Sequence, residues 1–172
     1  MAGRPHTTRP RIEKLRPIHV TVRMASHVYN LRSRRSFSVI GRAIAIAANR
    51  FGVRIIEFSV QGNHMHLVVE AAAHEALSRA MQGFSIRVAK GLNAMMKRRG
   101  RVFADRYHAH VLENPTEARW AVLYVRRNYQ KHMNEIGKPV SRDYVDPFTS
   151  LGANIELGEP RTWLLRRAAS PP

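Results

Sequence analysis

The sequence contains no cysteine in its 172 residues. A chain without thiols forms no disulfide, has no thiolate nucleophile and builds no cysteine-based zinc site. Any metal centre must therefore use histidine, carboxylate or amide ligands. Long apolar runs are also missing, and charged residues rather than a hydrophobic segment follow Met1. We therefore expect neither a membrane span nor a secretory signal, and we expect a cytoplasmic protein.

Acidic residues are scarce, because 12 Asp and Glu stand against 29 Lys and Arg, which gives a formal net charge of +17. So much positive charge favours a polyanionic partner, and nucleic acid is the leading candidate. An anionic membrane surface is the rival, but no amphipathic helix has apolar residues to spare for lipid. A merely basic or ribosome-associated protein is a further interpretation.

The apolar periodicity predicts four strands and three helices in the order β-α-β-β-α-β-α. This order is typical of an α+β fold with a ferredoxin-like antiparallel sheet (βαββαβ), two helices on one face, and an additional C-terminal helix. Asn114 and Pro115 are suited to the N-cap and first position of that last helix. The predicted strands are 17–24, 53–60, 63–70 and 102–112, and the predicted helices are 33–50, 77–95 and 115–134.

Composition divides the chain into three parts. Residues 1–16 are rich in Arg and Pro and predict a basic N-terminal arm. Residues 17–134 carry the periodic segments and predict one domain. Residues 135–172 contain recurrent Gly and Pro and predict an irregular C-terminal tail.

Two histidines, His64 and His66, lie two residues apart on the third predicted strand. Residues i and i+2 share a face of a strand, so the two imidazoles lie side by side while Met65 and Leu67 point toward a core. Neutral imidazole is a common metal ligand at pH 7, but two ligands are too few for a tight site. The pair is equally compatible with surface or hydrogen-bonded histidines.

Tyr124 and Asn128 are spaced i, i+4 on the last predicted helix and therefore share a face. If that face turns toward His64, the Asn128 amide oxygen completes a His-His-amide ligand set with the Tyr124 hydroxyl beside it. In a plainer interpretation, Tyr124 is an amphipathic core residue and Asn128 is a solvated one. The two interpretations differ in whether the helix faces the histidine strand.

Three segments, residues 62–69, 106–112 and 124–128, resemble the His-hydrophobe-His strand, the last strand and the tyrosine helix of the single-tyrosine HUH nucleases. Among these nucleases, the chain resembles the insertion-sequence transposases and the REP-associated tyrosine transposases over residues 17–134. Tyr129 follows Asn128 where proline is common in those relatives. The resemblance implies a transposase or single-strand DNA endonuclease in which Tyr124 is the nucleophile and His64, His66 and Asn128 hold a divalent metal ion.

The chemistry that the resemblance implies is cleavage through a covalent 5′-phosphotyrosine that leaves a free 3′-OH. Another 3′-OH can reverse this step, because the link retains the phosphodiester energy. The expected cofactor is Mg²⁺ or Mn²⁺, with Mn²⁺ favoured by imidazole ligands. The expected partner is single-stranded or hairpin DNA, without a membrane. Both a homodimer and a monomer remain open.

Basic residues near the ends of the predicted elements are the expected contacts to the DNA backbone, although each alone is equally suited to a solvated face. Two other functions remain open. A non-catalytic nucleic-acid-binding module of the same fold would stack bases on Phe103 and Tyr107, and a structural metalloprotein would need its ion for stability. The expected DNA contacts are Arg32, Arg34, Arg35, Lys97, Arg98, Arg99, Arg101, Arg126, Arg127 and Lys131.

Overall fold

A five-stranded antiparallel sheet organises residues 12–169, the part of the chain that the computed structural model describes. Without the short second strand, the spatial order is that of a ferredoxin-like sheet, so the predicted α+β fold is confirmed. The strands, in the order β2-β3-β4-β1-β5, are β1 Arg16–Arg23, β2 Asn49–Arg50, β3 Val53–Val60, β4 His64–Ala71 and β5 His108–Val111. The helices are α1 Arg34–Ala47, α2 His74–Met95, α3 Pro115–Glu135 and α4 Trp163–Ala169.

One face of the sheet is apolar and packs against α1 and α2. Met65, Leu67 and Val69 alternate along β4 into this layer and are completely buried. The two helices approach closely, because a Cβ on Gly91 of α2 would lie 2.4 Å from Val39 of α1. This face therefore forms the main core of the molecule.

The opposite face is only partly covered, by α3 and α4. A small apolar cluster joins Val68 of the sheet to Val122 of α3 and Leu165 of α4. A bulge in β3 turns both Ile56 and Glu57 toward α3, because the pairing with β4 shifts between Ile55 and Glu57. The rest of this face carries the polar residues of β4 and β1.

The helix predicted over 115–134 is α3, and its start is fixed by a reciprocal cap. The Asn114 side chain accepts a hydrogen bond from the Glu117 backbone N–H at 2.9 Å, and Glu117 accepts one from the Glu113 backbone N–H at 2.8 Å. Within the described residues, no helix has the length and apolar character needed to cross a bilayer.

Two predicted boundaries are wrong. The first helix ends at Ala47 rather than at residue 50, because Asn49–Arg50 pairs with β3 through a turn in which Phe51 and Gly52 both have positive φ. The strand predicted over 102–112 is regular only as β5. Asp105 and Arg106 are both exposed and interrupt the alternation, so the preceding segment makes a single bridge, between Phe103 and Met24.

The C-terminal segment, residues 136–169, is more ordered than the predicted irregular tail, because it ends in α4. Glu70 of β4 is completely buried and accepts hydrogen bonds from the backbone N–H groups of Arg161 and Thr162. Residues 1–11 of the predicted basic arm lie outside the described residues. Ile12, which belongs to the same predicted arm, packs into the main core. The C-terminal segment is thus anchored to the sheet just before α4.

Candidate active site

His64 and His66 lie side by side on the partly covered face of the sheet. Their ring centroids are 4.9 Å apart, and the rings are nearly perpendicular. His66 is 6% exposed, whereas His64 is only partly buried and its Nδ1 lies 2.8 Å from Asn63 Oδ1. The alternation of β4 thus produces the pair that the sequence predicts.

Helix α3 turns Tyr124 toward this pair. The Tyr124 ring centroid lies 5.1 Å from that of His66, and Tyr124 remains 39% exposed, so solvent and substrate can reach it. One turn further along, Asn128 is buried, and its Nδ2 has no hydrogen-bond partner in the described structure. The face of α3 that carries both residues is therefore directed at the sheet.

A third histidine, which the sequence analysis missed, joins the cluster from β1. His19 Nε2 lies 3.2 Å from His66 Nδ1, and Thr21 Oγ1 lies at the same distance from that nitrogen. The His19 ring is also 6.0 Å from the ring of Tyr124. The alternation of β1 indicates that His19 and Thr21 share a face, but only the register that pairs Thr21 with His66 brings them here.

Burial keeps the three imidazoles neutral at pH 7. Desolvation, with additional repulsion from His19 and His64, lowers the pKa of His66 to about 3. Desolvation and the neighbouring His110 and His108 lower the pKa of His19 to about 4. The pKa of His64 is also lowered, mainly by burial. Neutral rings keep a lone pair for a metal ion.

The donor set fits a divalent cation with mixed nitrogen and oxygen ligands. His66 Nε2 is buried and has no hydrogen-bond partner in the part of the chain described, which is costly unless a ligand satisfies it. Among residues 12–169, no three His, Asp or Glu side chains form a metal-binding group. An amide would supply a third protein ligand, and rotation of the Asn128 side chain exchanges its nitrogen for oxygen.

The predicted DNA contacts fall into separate groups. Two predicted contacts, Arg34 and Arg35, line a groove of about 540 Å³ between α1 and the end of α2, together with Arg42, which the sequence does not single out. Arg35 donates to the Met95 carbonyl at 3.2 Å. Directly after α2 follow Lys97, Arg98, Arg99 and Arg101. We call these seven residues the basic groove. Its last residue, Arg101, lies near the His64 end of the sheet, since Arg23 pairs with His64 and the next residues contact Val102 and Phe103. Helices α1 and α2 themselves cover the face opposite the histidines.

Two of the expected DNA contacts form ion pairs within the protein. Arg126 donates to Glu57 Oε1 at 2.5 Å, and Glu57 is 5% exposed. Arg32 makes a bidentate ion pair with Asp146, at 2.8 and 2.9 Å, and stacks on the ring of Tyr129. Both arginines therefore stabilise the fold, whereas Arg127 and Lys131 are exposed on α3.

Phe103 and Tyr107 do not form the stacking face that a non-catalytic binding module needs. Both rings are partly buried and pack against the main core. The segment that carries them is not a continuous strand. The structure thus gives no support to that alternative.

Comparisons with known proteins place the chain among transposases. A family model described as "Transposase IS200 like" matches residues 18–128. A REP-associated tyrosine transposase bound to a REP hairpin has a similar structure, with a TM-score of 0.61, 15% identity, and coverage of 92% of this chain and 99% of that chain. A candidate transposase from Deinococcus radiodurans R1 gives a TM-score of 0.48 at 10% identity, covering 82% and 99%.

No curated protein matches the sequence. The structural likeness to the REP-associated enzyme concerns the fold, which extends over nearly the whole of both chains. The family match spans β1 to Asn128 and so includes both histidines of β4 and the tyrosine of α3. The chain therefore belongs to the IS200-like transposase family.

Proposed function

We propose that this transposase cleaves and rejoins single-stranded DNA with Tyr124 as its nucleophile. The observation that carries the proposal is the position of the Tyr124 ring, 5.1 Å from the ring of His66 and still accessible to solvent. A nucleophile must be reachable by the phosphate and must lie beside the groups that stabilise its charge. Tyr124 is accessible and lies beside the proposed metal ligands, which supports this role.

His64, His66 and Asn128 would hold the divalent ion, Mg²⁺ or Mn²⁺. Two imidazoles in the set favour Mn²⁺, because Mg²⁺ prefers an all-oxygen environment. When bound, such an ion supplies positive charge that polarises the scissile phosphate and offsets the charge developing on its oxygens. The protein supplies the positions: a rigid central strand for the two histidines, and a helix packed on the same sheet for the amide.

The proposed cleavage step forms one bond and breaks one. The Tyr124 oxygen attacks phosphorus and loses its proton to solvent, while the bond from phosphorus to the 3′ oxygen breaks. The departing 3′ oxygen takes up a proton, which leaves a 5′-phosphotyrosine and a free 3′-OH. Attack by a different 3′-OH on the phosphotyrosine reverses the step and joins two strands without a further energy source.

We propose that the basic groove holds the backbone of the DNA on one side of this site. The basic groove groups cations from α1 with those that follow α2 in the chain, and clustered cations bind phosphates with an affinity that falls as salt rises. The REP-associated relative carries a hairpin. A hairpin whose stem lies in the groove could place its single-stranded flank at Tyr124.

A covalent-adduct assay tests the proposal. The protein is incubated with a library of short single-stranded hairpins and Mn²⁺, and covalent protein–DNA product is scored on denaturing gels. We expect an adduct that disappears in Tyr124→Phe. The matched control is Tyr129→Phe, because the Tyr129 ring lies 3.7 Å under Arg32, away from the histidines. An adduct that persists in Tyr124→Phe would refute the assignment of the nucleophile.

A further inference from the structure

An exposed stripe on α3 contains Tyr124 and continues beyond the histidine cluster on both sides of it. It consists of Trp120, Tyr124, Arg127 and Lys131, spaced at i, i+4, i+7 and i+11, which places them along one side of a helix. Trp120 is 68% exposed, more than any other large hydrophobic residue in the described structure. Lys131 Nζ lies 5.8 Å from the centre of the Tyr124 ring.

A single exposed tryptophan is not unusual by itself, so its neighbours decide what it can do. Here Trp120 stands one turn before the candidate nucleophile, and two cations stand one and two turns after it. Proteins bind single-stranded nucleic acid with this combination, in which aromatic rings stack on bases and cations follow the backbone. Arg126, which also flanks Tyr124, is engaged with Glu57 and is not part of the stripe.

We propose that Trp120 is a stacking site for an unpaired base of the DNA strand next to the scissile phosphate. The inference rests on the proposed function in one respect, namely that the scissile phosphate lies at Tyr124. Four helical residues rise about 6 Å, close to two nucleotide steps at about 3.4 Å each, so a base near that phosphate can reach the indole. Arg127 and Lys131 then contact phosphates on the other flank.

The expected ligand is a single strand rather than a duplex. Bases in a duplex already stack on each other. An indole ring can therefore stack on such a base only after the base is extruded, which costs a few kcal/mol. Stacking on an aromatic ring is tolerant of sequence, because every base has a π-face. Trp120 therefore contributes affinity near the cleavage position without selecting a particular base.

The chain has two tryptophans, which makes a clean fluorescence test possible. Trp163→Phe leaves Trp120 as the sole indole, and Trp120→Phe leaves Trp163. Trp163 is a matched control, because it is 62% exposed and has Arg167 at 5.6 Å from its ring. Each variant is titrated with an oligothymidine of about 12 nucleotides and with an abasic strand of equal length. Chelator is present, so that no cleavage occurs.

We expect oligothymidine to quench Trp120 strongly and the abasic strand to quench it weakly. In a parallel binding assay, Trp120→Ala should lower affinity for oligothymidine at least about fivefold, in line with 1–3 kcal/mol per stacked base. Its affinity for the abasic strand should not change, and Trp163→Ala should change either affinity less than about twofold. Equal loss for both strands, or no loss, would overturn the proposal.

This test is independent of the covalent chemistry. If no adduct forms on any hairpin but Trp120 still discriminates bases from abasic sites, the stacking site stands and the nucleophile assignment fails. If adducts form but Trp120→Ala binds both strands normally, the nucleophile assignment stands and the stacking site fails. A Trp120 signal that changes with protein concentration and not with DNA would assign the stripe to contact between copies, and would overturn the stacking site.

Discussion

On one face of the sheet, Met65, Leu67 and Val69 are completely buried under α1 and α2, whereas on the other face the same strand presents His64 and His66 to a partly open surface. The side chains that β4 directs to the first face are all apolar. On the second face, His66 Nε2 and Asn128 Nδ2 are buried without a hydrogen-bond partner in the described structure. The first face thus stabilises the fold. The second face is less stabilising, because its unpaired side-chain nitrogens stay available to bind a ligand.

The first prediction compares Leu67 with its neighbour His66, because the two side chains point to opposite faces of β4. Leu67→Ala should lower the free energy of unfolding by about 2–5 kcal/mol, because it leaves a cavity in the main core. Urea denaturation followed by circular dichroism gives the change. Mn²⁺ affinity of the folded variant should stay within about twofold, since Leu67 points away from the histidines. A large drop in Mn²⁺ affinity would show that the two faces are coupled.

The second prediction concerns Glu70, a charge on the partly open face that serves stability. Burial alone would raise the pKa of Glu70, but hydrogen bonds from Thr162, Arg161 and Arg54 outweigh it and lower the pKa. Glu70→Gln should cost about 1.5–3 kcal/mol, the range for hydrogen bonds to a charged group, because Arg54, with 11% of its side chain exposed, loses the charge of its partner. The exposed Glu159→Gln is the matched control.

The sign of the pH dependence follows from the lowered pKa. A carboxylate with a folded pKa below its ordinary value of 4.5 stabilises the fold above that value and loses the contribution as pH falls toward the folded pKa. Unfolding measured from pH 7 to pH 3 should therefore lose less stability in Glu70→Gln than in the parent chain. Parallel curves for the two proteins would contradict this account of Glu70.

The third prediction tests how His66 is held. Thr21 Oγ1 and His19 Nε2 both contact His66 Nδ1 at 3.2 Å, which leaves Nε2 for a ligand. Removing a group that orients a metal-binding histidine typically costs 10–100-fold in affinity. Thr21→Val should therefore weaken Mn²⁺ binding at least about tenfold by calorimetry, and Thr21→Ser, which keeps the hydroxyl, should restore it. Equal affinities in the two variants would exclude a role for the hydroxyl.

The contrast between the faces also explains what the sequence could predict. The apolar layer, α3 and its cap follow from local periodicity and spacing, and the spacing of Tyr124 and Asn128 alone places them on one helix face. The contact between His19 and His66 spans 47 positions and depends on strand register, which no local pattern encodes. Helix α4 was missed because it has only seven residues, of which Leu165 is the one buried in the small apolar cluster.

The sequence also does not predict the three buried carboxylates that hold the C-terminal segment, because their contacts join residues that are far apart in the chain. Glu70 contacts Thr162 across 92 positions, Glu57 contacts Ser150, and Asp146 pairs with Arg32. The sequence predicts DNA contacts for arginines from their number and their position near element ends. Arg32 and Arg126 also neutralise buried acids, which only the folded contacts reveal.

The smallest expected change in stability comes from His66→Leu. This variant removes a buried nitrogen without a partner and fills the space with apolar atoms, so the gain in desolvation offsets the lost contacts to His19 and Thr21. The free energy of unfolding without metal should stay within about 1 kcal/mol of the parent, while Mn²⁺ binding is lost. A loss of about 3 kcal/mol or more in denaturation would mean that His66 is a structural residue, and that both faces of β4 serve the core.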